Sequence, residues 1–460
     1  MEQTAVRSER LVSLDVFRGL TIIGMILVNN PGSWSYMYWP LGHAPWHGWT
    51  PTDWIFPFFL FIVGVAMTFS FDKRLARGAN RGDLMAHVVG RAAVLYLLGM
   101  ILGGFPNFRL ITPYILGIAG IEFWLATREH PDSPNLMRNR VLGYVLMVAA
   151  AVWFIVDFRY FNGPTQRGSW SNFFPLASNG EGSVIRVVGV LQRIAMVYVV
   201  AAAIMMMTRG AWARAAWVVG LIGAYWLIMV YVKAPEGYVL GNGLEGAKAD
   251  AAADATFRGV LNDWIDVKLL GAHLYSHRPD PEGLLSTIPA VGTTLLGIIS
   301  GMWLRRTDVP AMRRAMGLLV MGLAMLAVGQ LMHYGFPINK KIWSSSYVVF
   351  MAGWANLFLG LCYLIIDVKG FKRWTPPVLV FGTNAIVAFF ASGLMARMFQ
   401  LFKWTGADGK ELNIKSWSWN IVNGMFADHR NASLAWAITF ILLWLLLLTP
   451  LYRKRIFIKV

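Results

Sequence analysis

The chain has 460 residues, of which 57% are hydrophobic and only 14% are charged, and its formal net charge is +17. A soluble chain of this length would divide into roughly three domains, but this apolar fraction is typical of a protein embedded in a membrane. The positive charge does not indicate a nucleic-acid partner, because Lys and Arg lie in short clusters between long apolar runs, as in loops that face the cytoplasm and anionic headgroups.

Apolar runs of about 20 residues each predict an all-α polytopic bundle with about 12 transmembrane spans. In chain order the runs cover residues 12–30, 52–71, 84–104, 110–127, 141–157, 184–207, 212–232, 285–304, 315–335, 346–366, 377–399 and 434–451. No small-residue cleavage site follows the first run, so we expect no cleaved signal peptide. The single cysteine, Cys362, excludes a disulfide framework and a cysteine-based metal site. We predict one transmembrane domain over residues 1–460.

Every second gap between the runs carries Lys and Arg, for example Lys73 and Arg74 after the second run and Arg209 after the sixth. By the positive-inside rule these gaps lie in the cytoplasm, and so do both termini. The other gaps, including a long periplasmic loop over residues 233–284, are rich in Trp, Asn and Gly. Aromatic faces there suit a carbohydrate, although Trp and Tyr are equally expected as a belt at a membrane interface.

The loop between the first two runs holds the residues best suited to chemistry. His43 and His47 are followed by Asp53, and the loop lacks Lys and Arg, which predicts a non-cytoplasmic position. A carboxylate that accepts a hydrogen bond from one imidazole nitrogen leaves the other nitrogen as a base. Asp53 is equally suited to cap the second helix. A metal site is not favoured, because Pro45 separates the histidines and the Glu of an H-E-x-x-H motif is missing.

Several runs contain ionisable or amide side chains, which at membrane depth are expected to face protein or a water-filled cavity. Asp15 and Arg18 lie three residues apart in the first run, where they either seat the helix as an ion pair or line an entry for an anionic cofactor. Arg186 and Arg193 fall in the sixth run, and we expect Arg193 close to mid-span. Asn384 falls within the eleventh run.

Seven segments spread over most of the chain carry a family resemblance. They are LDVFRG, the string H-A-x-W-x-G-x-T-x-x-D-x-x-F-P-x-F-x-F-x-x-G from His43 to Gly64, IRVVGVLQRIA, WIDVKLLGAHLY, DPEGLLSTIPA, PINKKIWSSSYV and FGTNAIVAF. Together with the closing LYRKRIFIKV, they resemble the heparan-α-glucosaminide N-acetyltransferase family and its bacterial relatives. Residues 109–181 stand where the animal members have a short loop, so we predict a helix pair inserted into a ten-helix family core.

The resemblance implies acetyl transfer across the membrane, from acetyl-CoA on the cytoplasmic side to the amine of a glucosamine-type sugar on the far side. It implies His43 as the catalytic histidine, Asp53 as the acid ten residues on, and Asn29 as the asparagine that ends the preceding helix. For acetyl-CoA we assign Arg18, Arg193 and Asn384, and for the sugar we assign Trp46, Asp280, Glu282 and Lys340. No metal is expected.

In the predicted reaction His43 removes a proton from the attacking amine, Asp53 orients the imidazole, and Asn29 donates to the developing oxyanion. An acetyl-histidine intermediate and direct transfer in a ternary complex are both open.

Two other classes of protein also fit the sequence: a proton-coupled secondary transporter of an amino sugar or related solute, and a non-enzymatic membrane scaffold. Within the enzyme class, O-acetylation of a cell-surface polysaccharide is the nearest alternative. We expect a multi-pass protein of the bacterial inner membrane that contacts an amino-sugar substrate and membrane lipid but not nucleic acid, with a homodimer left open.

Overall fold

The computed structural model describes residues 11–76, 78, 80–129, 132–156, 185–241, 248–249, 259–271, 273–406 and 409–458. Within these ranges the chain is mostly helical. The helices are α1 (Val12–Asn29), α2 (Ile55–Leu75), α3 (Arg81–Gly104), α4 (Phe108–Glu129), α5 (Leu136–Val156), α6 (Val190–Met207), α7 (Gly210–Tyr231), α8 (Gly259–Leu270), α9 (Thr287–Leu304), α10 (Ala311–His333), α11 (Ser345–Cys362), α12 (Pro376–Thr383), α13 (Ala385–Leu401), α14 (Ile414–Asn423) and α15 (His429–Arg453). Two short strand pairs join β1 (Lys248–Ala249) to β2 (His277–Arg278) and β3 (Lys403–Thr405) to β4 (Glu411–Asn413).

Among the described residues, 11 helices are long and apolar enough to cross a membrane, and α12 and α13 meet the same criterion only when they are taken together, with a bend of 82° between them. The predicted polytopic all-α bundle is confirmed. The apolar run predicted over 377–399 is interrupted, because the helix breaks at Asn384. The Asn384 amide donates to the Ile456 carbonyl (3.1 Å) and accepts from the Ile458 N–H (2.9 Å), so it binds the returning carboxyl-terminal segment at the break.

The bundle has two chemically different ends. The first, which we call the histidine end, carries residues 30–54 and 334–344. The other, the opposite end, carries the start of α1, the end of α15 and the basic connections that follow α2, α6 and α9. Both ends of the described chain therefore lie at the same end of the bundle, where Arg18 of α1 donates to the carbonyl of Gly382.

Close helix contacts in the core depend on glycine. A Cβ at Gly64 of α2 would lie 2.0 Å from the Thr294 carbonyl oxygen, and one at Gly297 of α9 would lie 2.1 Å from the Phe61 carbonyl oxygen. The backbones of α2 and α9 therefore touch directly. Small residues at such contacts are typical of helices in a bilayer, where van der Waals packing drives association.

Two predicted boundaries differ from the structure. The sixth run was predicted to start at residue 184, but α6 begins at Val190 after Gly189 as N-cap, so Arg186 precedes the helix. Arg193 consequently lies in the first turn of α6, and the expectation of a mid-span position is wrong. The predicted insertion over 109–181 contains most of α4 and all of α5, while residues 157–184 lie outside the described residues. The predicted loop 233–284 contains α8 and β2.

Candidate active site

The centre of the site is a hydrogen-bonded pair of His43 and Asp53. The Nδ1 atom of His43 lies 2.8 Å from Oδ1 of Asp53. The Asp53 side chain is 1% exposed, whereas the His43 side chain is 46% exposed. The carboxylate accepts from the Nδ1–H tautomer, so Nε2 carries the lone pair at the open face. This is the geometry of a general base oriented by a carboxylate.

Asp53 also caps the helical segment that leads into α2. Its Oδ2 atom accepts from the backbone N–H groups of Ala44 (3.1 Å) and Thr50 (3.0 Å), and Thr50 forms the other half of a capping box. The hydroxyl of Thr50 donates to the Gly42 carbonyl at 2.6 Å. Asp53 therefore fills both roles that the sequence suggests: one carboxylate oxygen orients His43 and the other caps the helix. The contacts of Asp53 and Thr50 also hold the loop on both sides of His43.

Lys340 brings a positive charge to this pair from the connection between α10 and α11. Its Nζ atom lies 3.0 Å from Nδ1 and 3.1 Å from Nε2 of His43, and 3.6 Å from Oδ1 of Asp53. Burial and the charge of Lys340 lower the pKa of His43 from 6.5, although Asp53 and Glu282 act in the opposite direction. Burial likewise lowers the pKa of Lys340, partly offset by Asp53 and Glu282. The imidazole is therefore neutral near pH 7.

Two further carboxylates extend the site through Arg186. Its guanidinium binds Asp280 with two nitrogens and Glu282 at 2.6 Å, and it lies over the Tyr275 ring. Asp280 is also held by the N–H groups of Tyr275 (2.7 Å) and Glu282 (2.9 Å). Burial alone would raise the pKa of Glu282, but Arg186, Arg193 and Lys340 outweigh it and lower that pKa. Glu282 thus links the His43 pair to the Arg186 cluster.

A buried aromatic layer lies beneath these charges. Arg193, fully buried, donates to the Gly283 carbonyl (2.8 Å) and to Ser286, and its guanidinium lies 5.1 Å from the Trp343 ring centre. Tyr347 packs edge-on against Trp343 and donates its hydroxyl proton to the Asp53 carbonyl at 2.7 Å. This chain of contacts ties the position of Asp53 to α11 and to α6.

A cavity of about 280 Å³ opens on the other side of this layer, between α1, α2, α3, α6 and the broken helix. Its charged lining is Arg18 and Arg91, with Tyr198 beside them. Along α2 it extends from Ser70 to Phe59, which is about 16 Å of helix. The cavity therefore runs from the opposite end toward the histidine end.

The structure brings together some of the predicted site residues and separates others. His43, Asp53 and Lys340 contact one another, and Asp280 and Glu282 are joined through Arg186. The charges of Glu282 and Lys340 act on each other, and Arg18 lines the cavity. Arg193 and Asn384 adjoin that cavity, because the lining includes the neighbouring residues Ile194, Thr383 and Ala385. Asn29 lies exposed at the end of α1, and Trp46 is 4% exposed within an apolar cluster that includes Tyr225 and Phe336.

Three contributing residues were not assigned from sequence. The apolar pattern places Arg186 in the sixth run, and its pairing with the DPE segment cannot be read from the sequence. Tyr347 acts through a hydroxyl contact 294 positions away in the chain. Arg91 stands in α3 without any motif around it. The only signal in the sequence is the opposite charge of Arg186 and of the carboxylates in the DPE segment.

The bundle and its histidine–carboxylate centre define a polytopic membrane protein with a candidate acid–base site facing one end. Residues 10–105, which include the His43 loop, match the family described as "Heparan-alpha-glucosaminide N-acetyltransferase, catalytic". This part of the chain is therefore similar to the catalytic region of that family, and the resemblance indicated by the sequence motifs is confirmed.

Two relatives match along nearly the whole chain. Heparan-alpha-glucosaminide N-acetyltransferase of Mus musculus is 26% identical over 98% of this chain and 61% of its own length. The Homo sapiens protein of the same name is 27% identical over 98% of this chain and 60% of its own length. The chain thus spans about three-fifths of the length of these curated relatives.

Proposed function

We propose that this protein is a membrane acetyltransferase that moves an acetyl group from acetyl-CoA to the amine of a glucosamine-type sugar. The observation that carries the proposal is the pairing of two features in one set of helices. The His43–Asp53 pair lies open at the histidine end, and the arginine-lined cavity reaches toward it from the opposite end. The names of the two relatives specify the same acceptor group and the same reaction.

The site supplies the base that this reaction needs. The amine of an amino sugar is largely protonated near neutral pH, and only its free base attacks a thioester. His43 is neutral there, and its Nε2 atom accepts the proton while Asp53 holds Nδ1–H. Asp53 also stabilises the imidazolium that forms. Glu282, beside Lys340 and Arg186, is the carboxylate best placed to orient the polar groups of the sugar.

The charge and the apolar wall of the cavity suit part of acetyl-CoA. Arg18 and Arg91 would hold anionic phosphates, and the apolar wall from Met67 to Phe59 would enclose the pantetheine arm. When bound, acetyl-CoA supplies an activated acetyl thioester. Arg193 adjoins Ile194 of the cavity lining, and Trp343 beside it is fully buried, so we place these two side chains between the cavity and His43.

The distribution of charge supports the orientation that we propose. Lys and Arg are concentrated in the connections at the opposite end, which we therefore place in the cytoplasm together with both termini. The histidine end then faces the periplasm. We assign the protein to the inner membrane of a bacterium, because its motifs resemble those of bacterial members. Lipid would then surround the bundle. We further propose a homodimer.

Release of CoA thiol by purified protein tests the proposal. We expect release with glucosamine and not with N-acetylglucosamine, whose nitrogen is already acylated. His43→Ala should lower the rate by about 100-fold or more, because general-base catalysis contributes about that factor. His429→Ala is the matched control, since His429 lies exposed at the same end and binds Asn423 at 2.7 Å.

Two results would contradict the proposal. One is a His43→Ala protein that releases thiol at the wild-type rate with glucosamine. The other is uptake of labelled glucosamine into proteoliposomes that contain no acyl donor, which is the behaviour of a transporter.

A further inference from the structure

The position of the Lys340 ammonium relative to the His43 ring is unusual. Nζ is almost equally distant from the two ring nitrogens, at 3.0 and 3.1 Å. One carbon, Cε1, stands between those nitrogens in the ring plane. An atom in that plane at these two distances would overlap this carbon, so the ammonium lies above the face of the imidazole.

This position leaves the reactive lone pair of His43 free. The lone pair of Nε2 points outward in the ring plane, and a good hydrogen bond to it would have to approach along that direction. Lys340 approaches from the face instead, as a cation does over an aromatic ring. The ammonium therefore acts on the charge of the ring without occupying the atom that accepts a proton.

The charged groups around His43 come from three parts of the chain. Asp53 binds Nδ1 from the turn before α2, Glu282 contributes a negative field from the segment before α9, and Lys340 contributes the positive charge from the segment before α11. Glu282 is itself neutralised by Arg186 at 2.6 Å. Lys340 is the cation whose charge directly opposes protonation of the imidazole.

We propose that Lys340 is a positioning residue that keeps His43 unprotonated and ready to act as the base. This inference rests on the proposed acetyl transfer for its catalytic meaning. A cation at this position would repel the ammonium of an amino sugar, so an electrostatic action on His43 accounts for Lys340 better than a contact with that amine does.

The proton balance of the reaction gives this charge a second use. His43 first passes one proton of the sugar ammonium to solvent. The free amine then forms a bond to the acetyl carbonyl carbon, and a second proton passes from its nitrogen to Nε2 of His43. The carbon–sulfur bond then breaks, its electron pair goes to sulfur, and the imidazolium returns the same proton to the thiolate. Lys340 makes that imidazolium a stronger acid, so it favours the second transfer as well as the unprotonated resting state.

Three variants test the proposal through the pH dependence of kcat/KM. The rate of the wild-type protein should fall as the pH falls through the pKa of His43, because the protonated ring cannot accept a proton. In Lys340→Met this acid limb should move to higher pH by about one unit. Lys340→Arg keeps the charge and should restore the wild-type limb. Lys341→Met removes a charge one residue away and serves as the matched control.

A direct titration of His43 by NMR gives a readout that does not require activity. The His43 signal is assigned by its loss in His43→Gln, and its pKa is compared between wild type and Lys340→Met. An equal pKa in the two proteins overturns the inference, whatever their activity. If Lys340→Met does not fold, Lys340→Gln replaces it in the same comparison. A raised pKa without any thiol release in wild type would uphold the electrostatic role and reject the proposed function.

Discussion

Replacing Asp53 with Asn separates its two roles. The side chain keeps its shape, and one amide oxygen still accepts from the backbone N–H of Thr50 or Ala44, so the cap is largely preserved. The substitution affects His43 through the amide nitrogen that replaces Oδ1 of Asp53. An amide NH₂ donates to Nδ1 instead of accepting from it, so the imidazole proton moves to Nε2 and the base at the open face is lost.

The expected loss of activity is much larger than the expected loss of stability. Loss of a correctly oriented general base should lower kcat by about 10²- to 10⁴-fold, which corresponds to about 3–5 kcal/mol of activation free energy. Weakening of the charge-assisted cap should lower the free energy of unfolding by only about 1 kcal/mol. Activity should therefore collapse in a protein that is still folded.

The assay combines thiol release from acetyl-CoA in the presence of glucosamine with a thermal unfolding curve in detergent. Asp428→Asn is the matched control, because Asp428 caps α15 at the same end of the bundle by accepting from the Arg430 N–H at 2.8 Å. Both variants should lose a similar, small amount of thermal stability, and only Asp53→Asn should lose activity. A folded Asp53→Asn protein with kcat within threefold of wild type would refute the assignment of His43 and Asp53 as a base and its orienting acid.

Two further predictions concern the cavity and the helix packing. Arg91→Leu should raise the KM for acetyl-CoA roughly tenfold at similar kcat, because one charge-assisted contact to phosphate is lost. Arg209 is exposed, so Arg209→Leu should leave the KM unchanged. Equal KM values for the two variants in initial-rate measurements would count against the cavity assignment. Gly297→Val should abolish the cooperative unfolding transition, because the Cβ of the valine would overlap the carbonyl of Phe61. Gly24→Ala should unfold at the wild-type temperature, because the nearest atom to the added Cβ is 3.5 Å away. A Gly297→Val protein that unfolds at the wild-type temperature would contradict the close contact.

The sequence predicts the helices well because hydrophobic length alone specifies a span. It fails where apolar sequence continues beyond a helix. Residues 185–189 continue the apolar run with Ile185, Val187 and Val188 but form a loop, so Arg193, which the run places near mid-span, lies in the first turn of α6. It also fails at Asn384, where the break depends on a hydrogen bond to Ile456, 72 positions away.

The candidate site likewise contains one contact that the sequence predicts and one that it does not. The contact between His43 and Asp53 joins residues ten positions apart within one loop, so their spacing and chemistry were enough to predict it. The position of Lys340 over that imidazole joins residues 297 positions apart. A single sequence carries no signal for such a contact. Residue type alone does not show that Lys340 lies over the face of the His43 ring or how its charge acts on that ring.

The backbone contact between α2 and α9 has a mechanical consequence for the site. α2 follows directly after the turn that holds Asp53, and α9 follows directly after the segment that holds Glu282 and Ser286. Because the backbones of α2 and α9 touch at Gly64 and Gly297, the two helices cannot move apart without loss of that contact. We therefore expect a bulky sugar to enter by displacing the lysine-bearing segment before α11 and the residues around His43, and not by separating α2 from α9.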